Sequence, residues 1–248
     1  MLHGDVQPLF HNGGSTIIKA VFFDLYQTLI RYDPPREQLQ AKVLKEFGID
    51  VAPEAIRRAL LIADEFVYQE HARWSLSKRP TEEKMAVYAQ YQRILLKEAG
   101  VDASEQLIAG ALGKMQQFDL KLVLFDDVVP VLTQLRERRL ILGLISNVDR
   151  DITPLCDELG LSSLLQVVVT SQNAGFNKPQ PEIFREALKQ ARVDASEAIY
   201  VGDQYQIDVV GASEAGIKGV LLDRGDDFRE VTDCPRIQNL TDVVKYLF

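Results

Sequence analysis

The order of the apolar runs along the chain constrains its fold more than any other feature. Five short runs rich in β-branched residues are predicted to be buried strands, and helical patterns separate the last four of them. The runs span residues 17–23, 140–147, 165–171, 198–203 and 218–224. Strands that alternate with helices form crossover units. The sequence therefore predicts an α/β fold with a parallel sheet that helices cover on both faces.

The long interval between the first and second runs has a different character. Residues 35–121 contain no strand pattern but four helical ones, at 35–48, 53–74, 81–100 and 104–118. An all-helical insertion of this size is expected to form its own bundle. We therefore predict a helical domain at 34–121, a sheet domain made of 16–33 and 122–248, and a loose leader at 1–15.

Charge and composition limit the kinds of partner. The formal net charge of -8 argues against nucleic acid as the main partner, but it is compatible with a small anionic substrate because a local pocket can be positive. No apolar run is long enough to span a bilayer, so no membrane partner is expected. The two cysteines, Cys156 and Cys234, have no CxxC spacing, which favours a reducing, cytoplasmic location. The sequence indicates no oligomeric state.

Polar residues follow four of the predicted strands, at the sheet edge where open parallel sheets bind ligands. In chain order they are Asp24, Ser146 with Asn147, Lys178, and Asp203 with Asp208. Taken singly, each could be a turn former or a helix cap. Together, carboxylates at one edge would repel one another without a ligand. A hard cation such as Mg²⁺, which carboxylate oxygens bind, resolves this repulsion.

These residues resemble, in the same order, the four motifs of the haloacid dehalogenase superfamily. The motifs are Asp24-x-x-x-Thr28, Ser146, Lys178-Pro179 and Gly202-Asp203-x-x-x-x-Asp208, and the resemblance covers roughly residues 17–224. It implies a Rossmann-like core, and the helical insertion resembles the superfamily's helical cap domain. It also implies hydrolysis through a covalent aspartyl intermediate.

The resemblance implies a role for each motif residue in substrate binding and catalysis. Asp24 would be the nucleophile, and Thr28 would orient it. Ser146, with Asn147 beside it, would hold an oxygen of the substrate. Lys178 would neutralise charge on the nucleophile and on the transferring group.

Tyr26 departs from the pattern of the superfamily's phosphatases. They usually carry a second Asp at this position, which protonates the leaving alcohol and then activates water. A free tyrosine has a pKa of about 10, against about 4 for Asp, so it is a poor base at neutral pH. The run DLYQTL at 24–29 instead resembles the first motif of true haloacid dehalogenases, whose halide leaves without a proton. Gln27, in the place of a usual glycine, is a further departure.

The acidic last motif favours the phosphatase. Haloacid dehalogenases carry an Asn-bearing motif there and work without metal, whereas this chain has the metal-binding form. The resemblance implies that Mg²⁺ would be held by Asp24, Asp203, Asp208 and the backbone carbonyl of Tyr26. We therefore expect a Mg²⁺-dependent phosphatase acting on a small phosphorylated metabolite. A metal-independent 2-haloacid dehalogenase and a catalytically impaired binding protein remain as alternatives.

The helical insertion offers candidates for contact with the substrate. Arg57, Arg58 and Arg73 could each supply a cation for a halide, although solvated helix faces explain all three more simply. The segment WSLSKRP at 74–80 could overhang the site, but an ordinary surface connection is the favoured interpretation.

Overall fold

The computed structural model describes residues 17–247 and contains the predicted parallel sheet. The strands are β1 (Ala20–Phe23), β2 (Ile30–Asp33), β3 (Lys121–Leu124), β4 (Ile141–Ser146), β5 (Val167–Thr170), β6 (Ala198–Gly202), β7 (Lys218–Leu222) and β8 (Arg236–Ile237). Six of them form one parallel sheet in the order β5-β4-β1-β6-β7-β8. The five predicted strands are confirmed. The two-residue β8 was not predicted, because so short a run carries no periodic signal.

Helices alternate with the strands of this sheet, as the sequence predicts. The α-helices are α1 (Arg36–Glu46), α2 (Pro53–Arg73), α3 (Thr81–Glu98), α4 (Glu105–Met115), α5 (Val128–Glu137), α6 (Thr153–Glu158), α7 (Ser171–Ala174), α8 (Pro181–Ala191) and α9 (Gly211–Glu214). Short 3₁₀ turns lie at Leu76–Lys78, Leu161–Ser163, Ala195–Glu197 and Leu240–Tyr246, and a π-helical turn at Tyr205–Val210 precedes α9.

The central strand β1 is buried on both faces of the sheet, which explains its unbroken apolar run. Its side chains alternate between two clusters. Val21 and Phe23 pack in the cluster that includes α5, whereas Ala20 and Phe22 pack in the cluster that includes Phe184 of α8. Helices therefore cover both faces, and the sheet's carboxyl edge remains for polar groups.

The four predicted helices of the insertion are confirmed as α1 to α4. They enclose a separate group of buried apolar side chains, with members such as Leu44, Ile56, Leu95 and Ile108. The strands β2 and β3 pair antiparallel, with Ile30 opposite Leu124, at the points where the chain enters and leaves the insertion. This two-stranded ribbon was not predicted, because its strands are about ninety residues apart and each has only four residues. The domain boundaries at 34 and 121 stay a prediction.

The predicted leader at 1–15 lies outside the described residues. Within residues 17–247, no helix combines the length and the apolar character that crossing a bilayer requires.

Candidate active site

Side chains meet beyond the carboxyl ends of three neighbouring strands. Asp24 directly follows β1, Ser146 ends β4, and Asp203 directly follows β6. Because β1 lies between β4 and β6, these three strand ends are adjacent. Asp24 and Ser146 line a small pocket of about 30 Å³, which Lys178 and Asp208 also border. The structure thus brings the predicted motif residues together at one edge of the sheet.

Lys178 connects the polar groups of this edge. Its ammonium donates hydrogen bonds to Asp24 Oδ1 at 2.6 Å, to Asp208 Oδ1 at 2.6 Å and to the Tyr200 hydroxyl at 2.8 Å. Only 2% of the residue is exposed. The carboxamide of Asn147 holds its backbone, accepting from the Lys178 N–H at 2.7 Å and donating to the Lys178 carbonyl at 2.9 Å. A buried ammonium is stable only when it is paired, so this network fixes the loop after β5.

Asp208 is fully buried, and both of its oxygens accept hydrogen bonds from the protein. Besides the bond from Lys178, Oδ1 accepts from the Tyr200 hydroxyl at 3.0 Å, and Oδ2 accepts from the Gln204 N–H at 3.0 Å. The π-helical turn Tyr205–Val210 carries the residue. Gly202 lies so close to Asp208 that a Cβ there would collide with its carboxylate. The glycine at the end of β6 is therefore required by packing.

The site carries more negative than positive charge. Burial raises the pKa of Asp24 to about 6, and nearby Asp208 adds to this, whereas Lys178 opposes it. Burial, together with Asp24 and Asp208, also raises the pKa of Asp203 well above its usual value. Burial acts to lower the pKa of Lys178, but Asp208 and Asp24 outweigh it and raise that pKa. Lys178 is therefore charged, and its ammonium contacts two of the three carboxylates, those of Asp24 and Asp208.

The donor set fits a divalent cation. One carboxylate oxygen from each of Asp24, Asp203 and Asp208 lies within 4.8 Å of the others. Hard oxygen ligands are those that Mg²⁺ prefers. When all three carboxylates are ionised, as ligation of a metal requires, they and the one ammonium leave two negative charges, which a divalent ion would balance.

Proteins similar to this chain support the same interpretation. The model of the haloacid dehalogenase-like hydrolase family matches residues 18–216. The chain belongs to this family. Membership accounts for the parallel sheet and for the order of the four motifs along the chain.

Three proteins illustrate the similarity, and their sequences are 26–30% identical to the chain. The glyceraldehyde 3-phosphate phosphatase of Methanopyrus kandleri is 30% identical over 93% of this chain and 99% of its own length. The human haloacid dehalogenase-like hydrolase domain-containing protein 3 is 30% identical over 83% of this chain and 82% of its own. The structure of a 2-haloacid dehalogenase from Pseudomonas syringae pv. Tomato is 26% identical, covers 93% of this chain and 98% of its own, and has a TM-score of 0.53.

Two of the expected haloacid dehalogenase motif residues make contacts other than those anticipated. The Thr28 hydroxyl donates to Asp203 Oδ1 at 3.5 Å, and within residues 17–247 it has no hydrogen bond to Asp24. Asn147 is occupied by the Lys178 backbone rather than directed at a substrate. Ser146 is buried and lines the pocket with Asp24. Asn147 thus holds the Lys178 backbone, and the expected roles of Thr28 in orienting Asp24 and of Asn147 in binding substrate stay predictions.

Tyr26 lies where the resemblance puts it, at the pocket beside Asp24. The residue is half-buried, and its ring stacks on Tyr32 with centroids 6.2 Å apart. Gln27, which follows it, adopts a left-handed backbone conformation with φ of 61°. The turn is closed by the Gln27 N–H, which donates to the Ile30 carbonyl at 2.7 Å. A glycine would adopt this conformation more easily, which explains why the family usually has one here.

The structure adds two tyrosines that the sequence did not single out. Tyr200 in β6 is fully buried; its hydroxyl accepts from Lys178 and donates its single proton to Asp208 Oδ1, and the Ile145 carbonyl, 3.2 Å away, is the alternative acceptor. A tyrosine in an otherwise apolar strand must find partners for its hydroxyl, and that was the available signal. Tyr68 of α2 lines the pocket beside Asp24. No sequence pattern distinguishes it from other residues of the helix.

The cationic candidates of the insertion have different surroundings. Arg58 and Arg73 have side chains that are 77% and 74% exposed, consistent with solvated helix faces. Arg57 is only 32% exposed and forms an ion pair with Asp227 of the loop after β7. In the segment 74–80, Ser75 Oγ donates to Asp149 Oδ2 at 2.5 Å, in the loop after β4. The segment therefore contacts the sheet domain at the side of the site, and a role in substrate selection stays a prediction.

Proposed function

We propose that this chain is a Mg²⁺-dependent phosphatase that hydrolyses a small phosphorylated metabolite through an aspartyl intermediate. The observation that carries the proposal is the buried contact between Lys178 and Asp24, beside two further carboxylates that together fit a divalent cation. The name of the 30% identical relative from Methanopyrus kandleri, a glyceraldehyde 3-phosphate phosphatase, supports the same reaction class.

The reaction has two displacements at phosphorus. In the first, a carboxylate oxygen of Asp24 bonds to phosphorus as the bond to the leaving oxygen breaks, and the departing alkoxide takes a proton from solvent. In the second, water bonds to phosphorus, loses a proton to solvent, and displaces the Asp24 carboxylate, which releases inorganic phosphate. The ammonium of Lys178, 2.6 Å from Asp24 Oδ1, would stabilise negative charge in both steps without moving.

The carboxylates of Asp24 and Asp203 would hold Mg²⁺, together with the backbone carbonyl of Tyr26. When bound, the ion would supply positive charge for the phosphate oxygens. Asp208 is a weaker candidate for direct ligation, because its two oxygens already accept three hydrogen bonds from the protein. Its contacts support a role in holding Lys178.

Tyr26 restricts the substrates that this site handles well. General acid–base catalysis is worth about a hundred- to ten-thousandfold in rate, and the residue that usually supplies it is absent from position 26. An alkyl phosphate, whose alkoxide needs a proton, is expected to react slowly. A phosphate ester with a stable leaving anion, such as p-nitrophenyl phosphate, is expected to react much faster.

A 2-haloacid dehalogenase is the second candidate. Tyr26 favours it, and so does the 26% identical dehalogenase structure from Pseudomonas syringae. Halide departs as an anion, so that reaction does not need the missing acid. The uncompensated carboxylates weigh against it, because they would repel an anionic haloacid without a cation.

One pair of assays separates the candidates. Phosphate release from p-nitrophenyl phosphate is measured with Mg²⁺ and with EDTA, and chloride release from 2-chloropropionate is measured in the same two buffers. We expect phosphate release that requires Mg²⁺ and is lost in Asp24→Asn. Asp157→Asn, at an exposed position of α6, is the matched control and should retain activity.

Two other outcomes of these assays would contradict the phosphatase proposal. Chloride release in EDTA, with no phosphate release in either buffer, would replace the proposal by the dehalogenase. Turnover in neither assay would favour a catalytically impaired protein that binds its ligand. Thermal stabilisation by Mg²⁺ in the wild type but not in Asp203→Asn would support the metal site independently of turnover.

A further inference from the structure

A larger chamber of about 340 Å³ adjoins the acidic cluster. It lies between helices α1 and α2 on one side and the loops after β1, β3 and β7 on the other, and it meets the cluster at Asp203. Its volume lies within the range of roughly 300–1,000 Å³ that small-molecule pockets usually have. Side chains such as Tyr32, Leu60, Phe125 and Phe228 give it apolar walls. A group leaving from phosphorus at Asp24 could occupy this space.

Three of the four arginines that line the chamber are already paired. Arg36 donates to both oxygens of Asp64, at 2.9 and 2.5 Å, and Arg57 pairs with Asp227. Arg224 donates to both oxygens of Asp127, at 2.8 and 2.9 Å. These guanidinium groups stabilise the walls of the chamber. Their charges are largely compensated by the protein itself.

Arg31 of β2 is the least closely paired of the lining arginines. Its nearest carboxylate is that of Asp33, at 3.8 Å, and its guanidinium lies 6.0 Å from the centre of the Phe125 ring. Across residues 17–247 its side chain has no hydrogen bond to another group, and 34% of that side chain is exposed. The acidic lining residues Asp64, Asp227 and Asp223 are paired with arginines, whereas Glu37 and Asp203 are not paired with a cation in the described part of the chain. Arg31 therefore offers a charge that a ligand can use.

Gln27 lines the same chamber, and its backbone is unusual. Its φ of 61° lies in the left-handed region, which costs a residue with a side chain about 1–2 kcal/mol. Over the described residues, its carboxamide has no hydrogen-bond partner. Arg139, Arg192 and Asp226 also adopt positive φ, so the conformation of Gln27 is notable because it coincides with a place in the chamber wall. A glycine would relieve the strain but would remove the carboxamide from the chamber.

From these observations we propose that Gln27 and Arg31 recognise a carboxylate on the leaving group of the substrate, whose apolar body fills the chamber. The proposal rests on the phosphatase function proposed above. The Arg31 guanidinium would donate to the carboxylate in a charge-assisted, two-pronged contact. The Gln27 carboxamide would donate a neutral hydrogen bond to it. The substrate class is thus a phosphate monoester whose leaving group carries a second, carboxylate charge.

A matched pair of substrates tests this assignment. We compare kcat/KM for 3-carboxyphenyl phosphate and phenyl phosphate in Mg²⁺, and the ratio of the two values is the readout. Since a hydrogen bond to a charged group is typically worth about tenfold or more in affinity, we expect a wild-type ratio of about ten or above. Arg31→Gln should bring the ratio to about one, Arg31→Lys should retain part of it, and Gln27→Gly should lower it a few-fold. Glu37→Gln should raise it, because it removes an opposing charge.

Arg185→Gln is the control for the loss of a surface arginine, since this side chain is 58% exposed on α8. A wild-type ratio of about one, or equal ratios in Arg31→Gln and Arg185→Gln, would overturn the assignment. Failure of the phosphatase itself would appear differently, as no turnover of either ester. In that case the binding of both esters to Asp24→Asn by calorimetry decides the question. A tenfold preference for the carboxylated ester that Arg31→Gln removes would support the pair, and equal binding would reject it.

Discussion

The sheet edge around Lys178 and the adjoining chamber differ in how completely their polar groups are paired. At the edge, Lys178 makes three hydrogen bonds to side chains, and both oxygens of Asp208 accept from the protein. In the chamber, Arg31 and Gln27 have no hydrogen-bond partner for their side chains among residues 17–247. Folding therefore pairs Lys178 and Asp208 at the edge, whereas the side chains of Arg31 and Gln27 in the chamber stay available to solvent or to a ligand. In the proposed function, the sheet edge would carry the chemistry and the chamber would carry the selectivity.

The two regions also differ in how their residues are supported. The polar groups of the edge follow parallel strands whose register is fixed along the sheet. The chamber is lined from β2, α1, α2 and the loop after β7. Substitutions at the edge should therefore affect stability and activity together. Substitutions in the chamber should change substrate choice with little loss of stability.

Removing the central cation should have the largest effect. We expect Lys178→Met to lower the free energy of unfolding by about 3–5 kcal/mol, because it leaves buried carboxylates without their partner. Urea denaturation in EDTA measures this loss. Lys189→Met is the matched control, because its side chain on α8 is 79% exposed. Equal stabilities of the two variants would show that the contacts between Lys178 and the buried carboxylates do not stabilise the fold.

The pH dependence of the metal-free protein tests the excess negative charge of the edge. Because the pKa of Asp24 rises from 3.8 to about 6 on folding, the folded state binds this proton more tightly than the unfolded state. The resulting penalty is complete above about pH 6, shrinks as pH falls towards 3.8, and is absent below it, with a size on the order of 3 kcal/mol. In EDTA, the contribution of Asp24 should therefore stabilise the protein on acidification from about pH 7.5 to about pH 5.

Thermal melts of wild type and Asp24→Asn at both pH values isolate this contribution. The melting temperature of the wild type should rise on acidification relative to that of the variant, and saturating Mg²⁺ should reduce the difference. If the melting temperatures of the two proteins change equally with pH in EDTA, folding does not raise the pKa of Asp24.

Much of the edge could be predicted from sequence, and the reasons are local. Asp24 and Asp203 each follow an apolar strand directly, so the rule for parallel sheets predicts that they meet. The hydrogen bonds of Thr28 and Asn147 could not be predicted from sequence, because they depend on which loop lies opposite each residue. Tyr200 was missed because it lies within a strand rather than at its end.

The chamber could not be predicted, because its walls come from distant parts of the chain. Arg31 falls in the predicted sheet domain at 16–33 without any motif around it, and the β2–β3 ribbon that holds it forms only by long-range pairing. Arg57, considered as a cation for a substrate, is instead paired with Asp227. An arginine that is paired with a carboxylate stabilises the fold, whereas an unpaired one can bind a ligand. The sequence alone does not show which arginines are paired.

The Tyr200 hydroxyl should contribute measurably to the stability of the edge. We expect Tyr200→Phe to lower the free energy of unfolding by about 1–3 kcal/mol, because the buried Lys178 and Asp208 each lose a partner. Tyr88→Phe, at a residue that is 39% exposed on α3, controls for the loss of a tyrosine hydroxyl. Denaturant titrations of both variants measure the difference. A Tyr200→Phe variant as stable as Tyr88→Phe would remove this hydroxyl from the network.

The smallest effect concerns the backbone at the border between the two regions. Gln27→Gly should raise the free energy of unfolding by about 1 kcal/mol, since glycine adopts a positive φ without the cost that Gln27 bears. Gln27→Ala separates backbone from side chain, because it removes the carboxamide but keeps the cost, and it should bring no gain. Urea denaturation of the three proteins distinguishes these cases. If alanine stabilises as much as glycine, the strain lies in the side chain and not in φ. If only glycine stabilises the protein, the strain lies in φ. The chain then keeps a less stable turn in order to place the Gln27 side chain in the chamber, as the proposed recognition requires.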